Sequence, residues 1–226
     1  MASEQTPPRA PRQTILLGVG LAVVLAVGAI VVLLRFDDSP SGTGAAGRAT
    51  QQSDGDVAAP GVPAFRFESA RRLVRTMNVR IGRRDRRTID RASASAVSVL
   101  TDLYVEGFLD PANWTEGTYD DAFRGFAGDA RREATARAAL LTAGPNAGSR
   151  FEAIEPRAGR IVTRVLLDRE GRPALLMSVV RFSATATGER PATLRSFGEF
   201  FLEQRGGSWK IVSFHVTRRD AAEEAA

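Results

Sequence analysis

The chain has no cysteine and a single histidine, His215, among its 226 residues. The first absence excludes disulfide staples, a thiol nucleophile and lipid attachment at a cysteine, so a hydrophobic core alone must hold the fold. The second, with no cysteine beside it, leaves at most one nitrogen or sulfur ligand for a zinc site, whose structural forms are built from cysteine and histidine. Lysine is nearly missing as well. Lys210 is the only one, so the positive charge is carried almost entirely by arginine, and with the many alanines this fits a GC-rich coding sequence. No glycine-rich phosphate signature or acidic metal loop occurs in a usable place. The one glycine cluster that resembles a phosphate loop, Gly18 to Ala22, falls inside an apolar run. No cofactor and no metal are expected.

One stretch lacks charge altogether. Thr14–Leu34 is twenty-one residues long, and as a helix it would measure about 31 Å, the thickness of a bilayer's hydrocarbon core. It is longer than the apolar segment of a cleaved signal, and Arg35-Phe36-Asp37-Asp38 follows it without a small-residue cleavage site. The expectation is an uncleaved, single-pass membrane anchor. Arg9 and Arg12 before the span, against Arg35 with Asp37 and Asp38 after it, place the N-terminus in the cytoplasm and the C-terminal part outside the cell membrane. Gly18, Ala22 and Ala26 recur every fourth residue, a face on which two spans could pack as a homodimer.

Residues 1–13 form a polar, proline-containing cytoplasmic tail. Residues 35–64 are rich in Gly, Ser, Ala, Pro and Asp and show no apolar period, so they are expected to be a disordered linker. The part from 37 to 64 would reach about 30 Å on average. Residues 65–87 form a basic juxtadomain segment. From Phe65 to Arg91 ten arginines stand against Glu68, Asp85 and Asp90. Its plain explanation is a solvated face. Its functional one is contact with an anionic surface through Arg71, Arg72, Arg75, Arg83, Arg84, Arg86 and Arg87. Nucleic acid is not expected, because aromatic stacking residues are not interleaved with these charges.

The remainder alternates between two codes. Ile89, Ala92, Ala96, Leu100 and Leu103 fall three or four apart, predicting a helix from Thr88 that ends near Gly107 and Asp110-Pro111. A second helical region spans 119–141, broken near Gly125 or Gly128. Beyond Phe151 strands are expected at 160–168, 174–185, 193–204 and 208–218, with Gly206-Gly207 at a tight hairpin. Helices followed by an antiparallel meander give an α+β domain over 88–219, with helices packed on a curved sheet and a disordered tail at 220–226.

A helix ending Leu-Tyr-Val-Glu-Gly-Phe-Leu-Asp-Pro, with a last strand opening Gly-Gly-Ser-Trp-Lys-Ile-Val-Ser-Phe-His-Val-Thr, resembles the nuclear transport factor 2-like (SnoaL-like) superfamily, whose cone-shaped domains carry a Gly-x-Trp-x-Ile/Val motif there. Behind a single span it resembles actinobacterial Mce-associated membrane proteins and the inner-membrane assembly factor of type IV secretion systems. The resemblance implies a cone whose pocket could be lined by Tyr104, Trp114, Trp209 and His215. His215 could then act as an acid or base with Asp102 or Tyr104, and period two would put it on the same strand face as Trp209. A lone histidine is more often structural. Phe197, Phe200, Phe201 and Phe214 are more often core than pocket lining, and Trp114 and Tyr119 would sit in a loop between helices. The expected function is an extracytoplasmic, non-enzymatic accessory or assembly protein that docks a protein partner, in a transport or secretion complex. The alternatives are a tethered module for a small apolar or lipid-like ligand, and a small-molecule isomerase or hydrolase using His215.

Overall fold

The computed structural model describes residues 65–74 and 81–222. The span at 14–34 with its Gly18, Ala22 and Ala26 face, the linker, Arg75 and the last four residues lie outside the described residues. Among the described residues no helix is long and apolar enough to cross a membrane.

The first element is a strand, β1, at Glu68–Val74. It falls inside the segment expected as a basic connector, and it pairs in parallel with a later strand, Glu68 opposite Arg160 and Val74 opposite Leu166. Short, arginine-rich and mostly exposed, it lacks the hydrophobic alternation that marks a strand in sequence. An ion pair from Arg71 to Asp90 ties it to the first helix, α1, Arg83–Tyr104.

That helix begins five residues before Thr88. Gly82 is the N-cap, and its N–H donates to the Asp85 carboxylate at 3.0 Å. The Thr88 hydroxyl donates instead to the carbonyl of Arg84, 3.2 Å away. Arg83, Arg84, Arg86 and Arg87 therefore decorate the exposed first turns, where the helix dipole disfavours cations. The apolar stripe Ile89, Ala92, Ala96, Leu100 and Leu103 is buried as its spacing implies. A π turn at Val105–Leu109 carries the chain to Asp110, whose carboxylate accepts from Ala112 N at 2.9 Å and opens α2, Pro111–Glu116. Three further helices follow: α3 at Gly128–Ala136, α4 at Ala138–Leu141 and α5 at Ala147–Arg150.

The strands β2 (Ala153–Leu167), β3 (Pro173–Thr187), β4 (Ala192–Arg205) and β5 (Ser208–Ala222) form the expected antiparallel meander, longer at most ends than predicted. The sheet order is β1-β2-β3-β4-β5, mixed because of its parallel edge. Gly206 and Gly207 have φ of 58° and 83°, which a two-residue hairpin of this twist requires. The architecture is α+β, with helices packed on one face of a five-stranded sheet.

Between helices and sheet lie two aromatic clusters, a smaller one of Phe123, Phe126 and Phe214 and a larger one around Tyr104. Tyr104 is stacked on Phe108 at 5.5 Å between ring centroids, and it meets Phe182 at 5.2 Å, Phe67 at 5.5 Å and Phe200 at 6.4 Å. Its hydroxyl and the Ser196 hydroxyl are 3.0 Å apart, so the one polar group in the larger cluster is satisfied.

Candidate functional site: an arginine-lined groove on the outer sheet face

The alternation of the strands separates two surfaces. Phe182 and Ala184 on β3, with Leu194, Ser196 and Phe200 on β4, point to the helices and are buried. The intervening positions point away from them, and here the register aligns charge across four strands. Arg160 on β2 is opposite Arg181 on β3, which is opposite Phe197 on β4, which is opposite Thr217 on β5. In the adjacent row Ala158, Ser183, Arg195 and Arg219 are aligned in the same way. Arg66 and Glu68 close one side.

These residues line a groove of about 740 Å³. Six arginines reach it: Arg66, Arg157, Arg160, Arg181, Arg195 and Arg219, all exposed, against one carboxylate, Glu68. Arg157 occupies a β-bulge between Pro156 and Ala158, and its Nε donates to the Thr185 hydroxyl at 2.8 Å. The Arg181 guanidinium lies over the Phe197 ring, 5.9 Å from its centroid. Phe197 is 36% exposed, which makes it one of the few large apolar side chains left open to solvent. Among the described residues none of the six makes an ion pair. Arg218, pointing the other way from β5, shows the contrast. It is 7% exposed, pairs with Asp220 at 2.7 Å and donates to the carbonyls of Ala139 and Thr142. Arg218 is committed to holding the helices on the sheet, whereas the groove arginines, Arg157 with its bond to Thr185 included, make no ion pair among the described residues.

The four residues expected to share a pocket are not brought together. Tyr104 is buried in the larger aromatic cluster, where burial pushes its phenol well above the ordinary tyrosine range. Trp114 is buried too, in α2 rather than in a loop, and its indole N–H has no partner among the described residues. Trp209 is half-buried against the core at the start of β5. His215 is exposed on the outer face, opposite Glu199. The prediction that Trp209 and His215 share a face is corrected by a bulge: Phe201 pairs with Ser213 while Leu202 pairs with Ile211, so Val212 is an extra residue. One inserted residue flips every side chain beyond it. Tyr104 and His215 therefore stand on opposite sides of the sheet and cannot cooperate as an acid–base pair. His215 is two residues along β5 from Thr217, beside the groove but not lining it.

Tyr119, expected in the loop after α2, is buried with its hydroxyl donating to the Gly144 carbonyl at 2.7 Å, closing the core as a structural residue. The phenylalanines of the last strands split by face: Phe200 and Phe214 are core, while Phe197 and Phe201 lie on the outer side. Of the expected anionic-surface arginines, Arg71 is engaged with Asp90, and Arg83, Arg84, Arg86 and Arg87 lie on α1, away from the groove. No group of three or more potential metal ligands occurs among the described residues. The groove itself escaped sequence reading because its arginines are scattered over more than one hundred and fifty positions. Their only sequence signal is arginine recurring at the outward positions of successive strands, which means nothing until the register is known. No family model, curated protein or solved structure matches this chain.

Proposed function

We propose that this chain is a membrane-anchored, extracytoplasmic accessory protein whose nuclear transport factor 2-like cone acts by docking an anionic partner rather than by catalysis. The carrying observation is the disposition of polar chemistry in the domain. The interior of the helix–sheet sandwich is filled by Phe67, Tyr104, Phe108, Phe182 and Phe200, which leaves no room around Tyr104 for a substrate. The unspent charge is gathered on the outer face, in an open groove of guanidinium groups. Such a surface binds carboxylates or phosphates bidentately, and its single carboxylate, Glu68, stands exposed among six arginines. The uncharged run at Thr14–Leu34 supports the anchor, and a role beside a transport or secretion complex follows from the resemblance in architecture.

The test is complementation of a deletion strain by the full chain. Arg181→Glu with Arg195→Glu should fail to complement while leaving the folded domain's thermal midpoint within a few degrees of wild type, and His215→Gln should complement fully. A folded His215→Gln protein that fails, beside a charge-reversed protein that works, would replace docking with catalysis.

A further inference from the structure

The groove's position in the chain points to what it docks. We infer that the arginine groove seats on the anionic headgroups of the bilayer that holds the chain's own anchor, so that the domain lies against the membrane through its outer sheet face. This inference rests on the anchor reading of Thr14–Leu34. Two observations carry it. The chain enters the described domain at Phe65, and Phe65 and Arg66 are themselves part of the groove wall. A linker of some thirty residues keeps this end of the sheet within about 30 Å of the bilayer on average. The second is composition. Exposed Phe197 stands among guanidinium groups, with Arg181 over its ring. Arginine holds phosphate with its planar fork, and an aromatic ring sits at headgroup level between water and hydrocarbon.

A sequence without cysteine allows a clean measurement, because Thr217→Cys at the groove and Glu133→Cys on α3 each create one labelling site. The full chain, carrying an environment-sensitive dye at one site, is reconstituted into nanodiscs of phosphatidylcholine alone or with about 30 mol% phosphatidylglycerol. The dye at position 217 should shift to the blue only in the anionic discs, and about 0.5 M NaCl should reverse the shift. The dye at position 133 should not respond. Each arginine near an anionic surface contributes about a fivefold factor. Arg160→Gln, Arg181→Gln and Arg195→Gln together should therefore weaken docking about 100-fold, while lysine at the same three positions should restore only part of it, since an ammonium keeps the charge and lacks the bidentate fork.

Equal emission at position 217 in both discs, with the chain co-purifying with the disc, overturns the inference and leaves the anchor standing. A chain that does not co-purify with discs overturns the anchor. Sedimentation with phosphatidylglycerol vesicles at low salt then judges the groove alone, and failure to sediment overturns it too. Saturable binding of poly-glutamate at position 217 without any response to phosphatidylglycerol also overturns it, and assigns the groove to an acidic protein.

Discussion

Replacing Phe182 by alanine asks whether the interior is as full as the docking reading requires. The ring is 3% exposed and touches four others: Tyr104 at 5.2 Å, Phe108 at 5.3 Å, Phe65 at 5.7 Å and Phe67 at 6.1 Å between centroids. Losing a fully buried phenylalanine forfeits about 2–3 kcal/mol of transfer free energy. The space left, about 100 Å³ if nothing moves, adds up to about 2.4 kcal/mol at the usual cost per unit of cavity volume. Partial collapse of the flexible neighbours lowers that second part, so the expected loss is about 3–5 kcal/mol. Urea unfolding of the fragment 65–226, followed by tryptophan emission, reads this as a lower midpoint at unchanged slope. The variant should also take up a small apolar probe such as benzene or xenon, since apolar cavities of this order stay dry and accept such molecules. The wild-type domain should take up neither. A loss below about 1 kcal/mol would refute the packing described for Phe182. Probe uptake by the wild-type protein would restore the apolar-ligand reading of the cone.

Three other outcomes are expected. Tyr104→Phe strands the buried Ser196 hydroxyl and should cost about 1–3 kcal/mol at neutral pH. Because burial raises the Tyr104 phenol above its unfolded value of about 10, its contribution is complete below that pH and is lost as pH rises toward the folded value; the loss of stability in alkali should therefore be shallower in Tyr104→Phe than in wild type, and parallel curves would sink the assignment. Trp209→Ala, at a half-buried ring, should cost about 1–3 kcal/mol by chemical denaturation, and a larger loss would put the indole fully inside. Protease added to intact spheroplasts should remove the domain and leave a short membrane fragment, whereas full protection of the domain would reverse the orientation expected for residues 37–226.

How far the sequence carried the fold differs element by element. The stripe Ile89, Ala92, Ala96, Leu100 and Leu103 and the Gly206-Gly207 hairpin were legible because local periodicity and backbone chirality decide them. The start of α1 was not, because glycine is a weak sequence signal for a cap and Asp85 completes it from three residues on. Strand β1 was hidden by its arginines, since what makes it a strand is a parallel neighbour far along the chain. The face of His215 was misplaced for a single reason: nothing in Lys-Ile-Val-Ser-Phe announces that Val212 is extra, because a bulge is settled by pairing and packing with β4. The groove was the least legible feature, being a property of register across four strands.

The parallel pairing of β1 with β2 has a kinetic consequence. Glu68 and Arg160 are about ninety residues apart, so their contact carries the largest loop-closure cost in the sheet. Hairpins such as β4–β5 close within microseconds on local contacts, whereas a strand of this separation docks once its partner edge is in place. The wall bearing Arg66 and Glu68 is then the last part of the groove to assemble. During synthesis β1 leaves the ribosome before every other described element, yet it must wait for β2 and all the helices between them, and until then the groove has only its floor and far side.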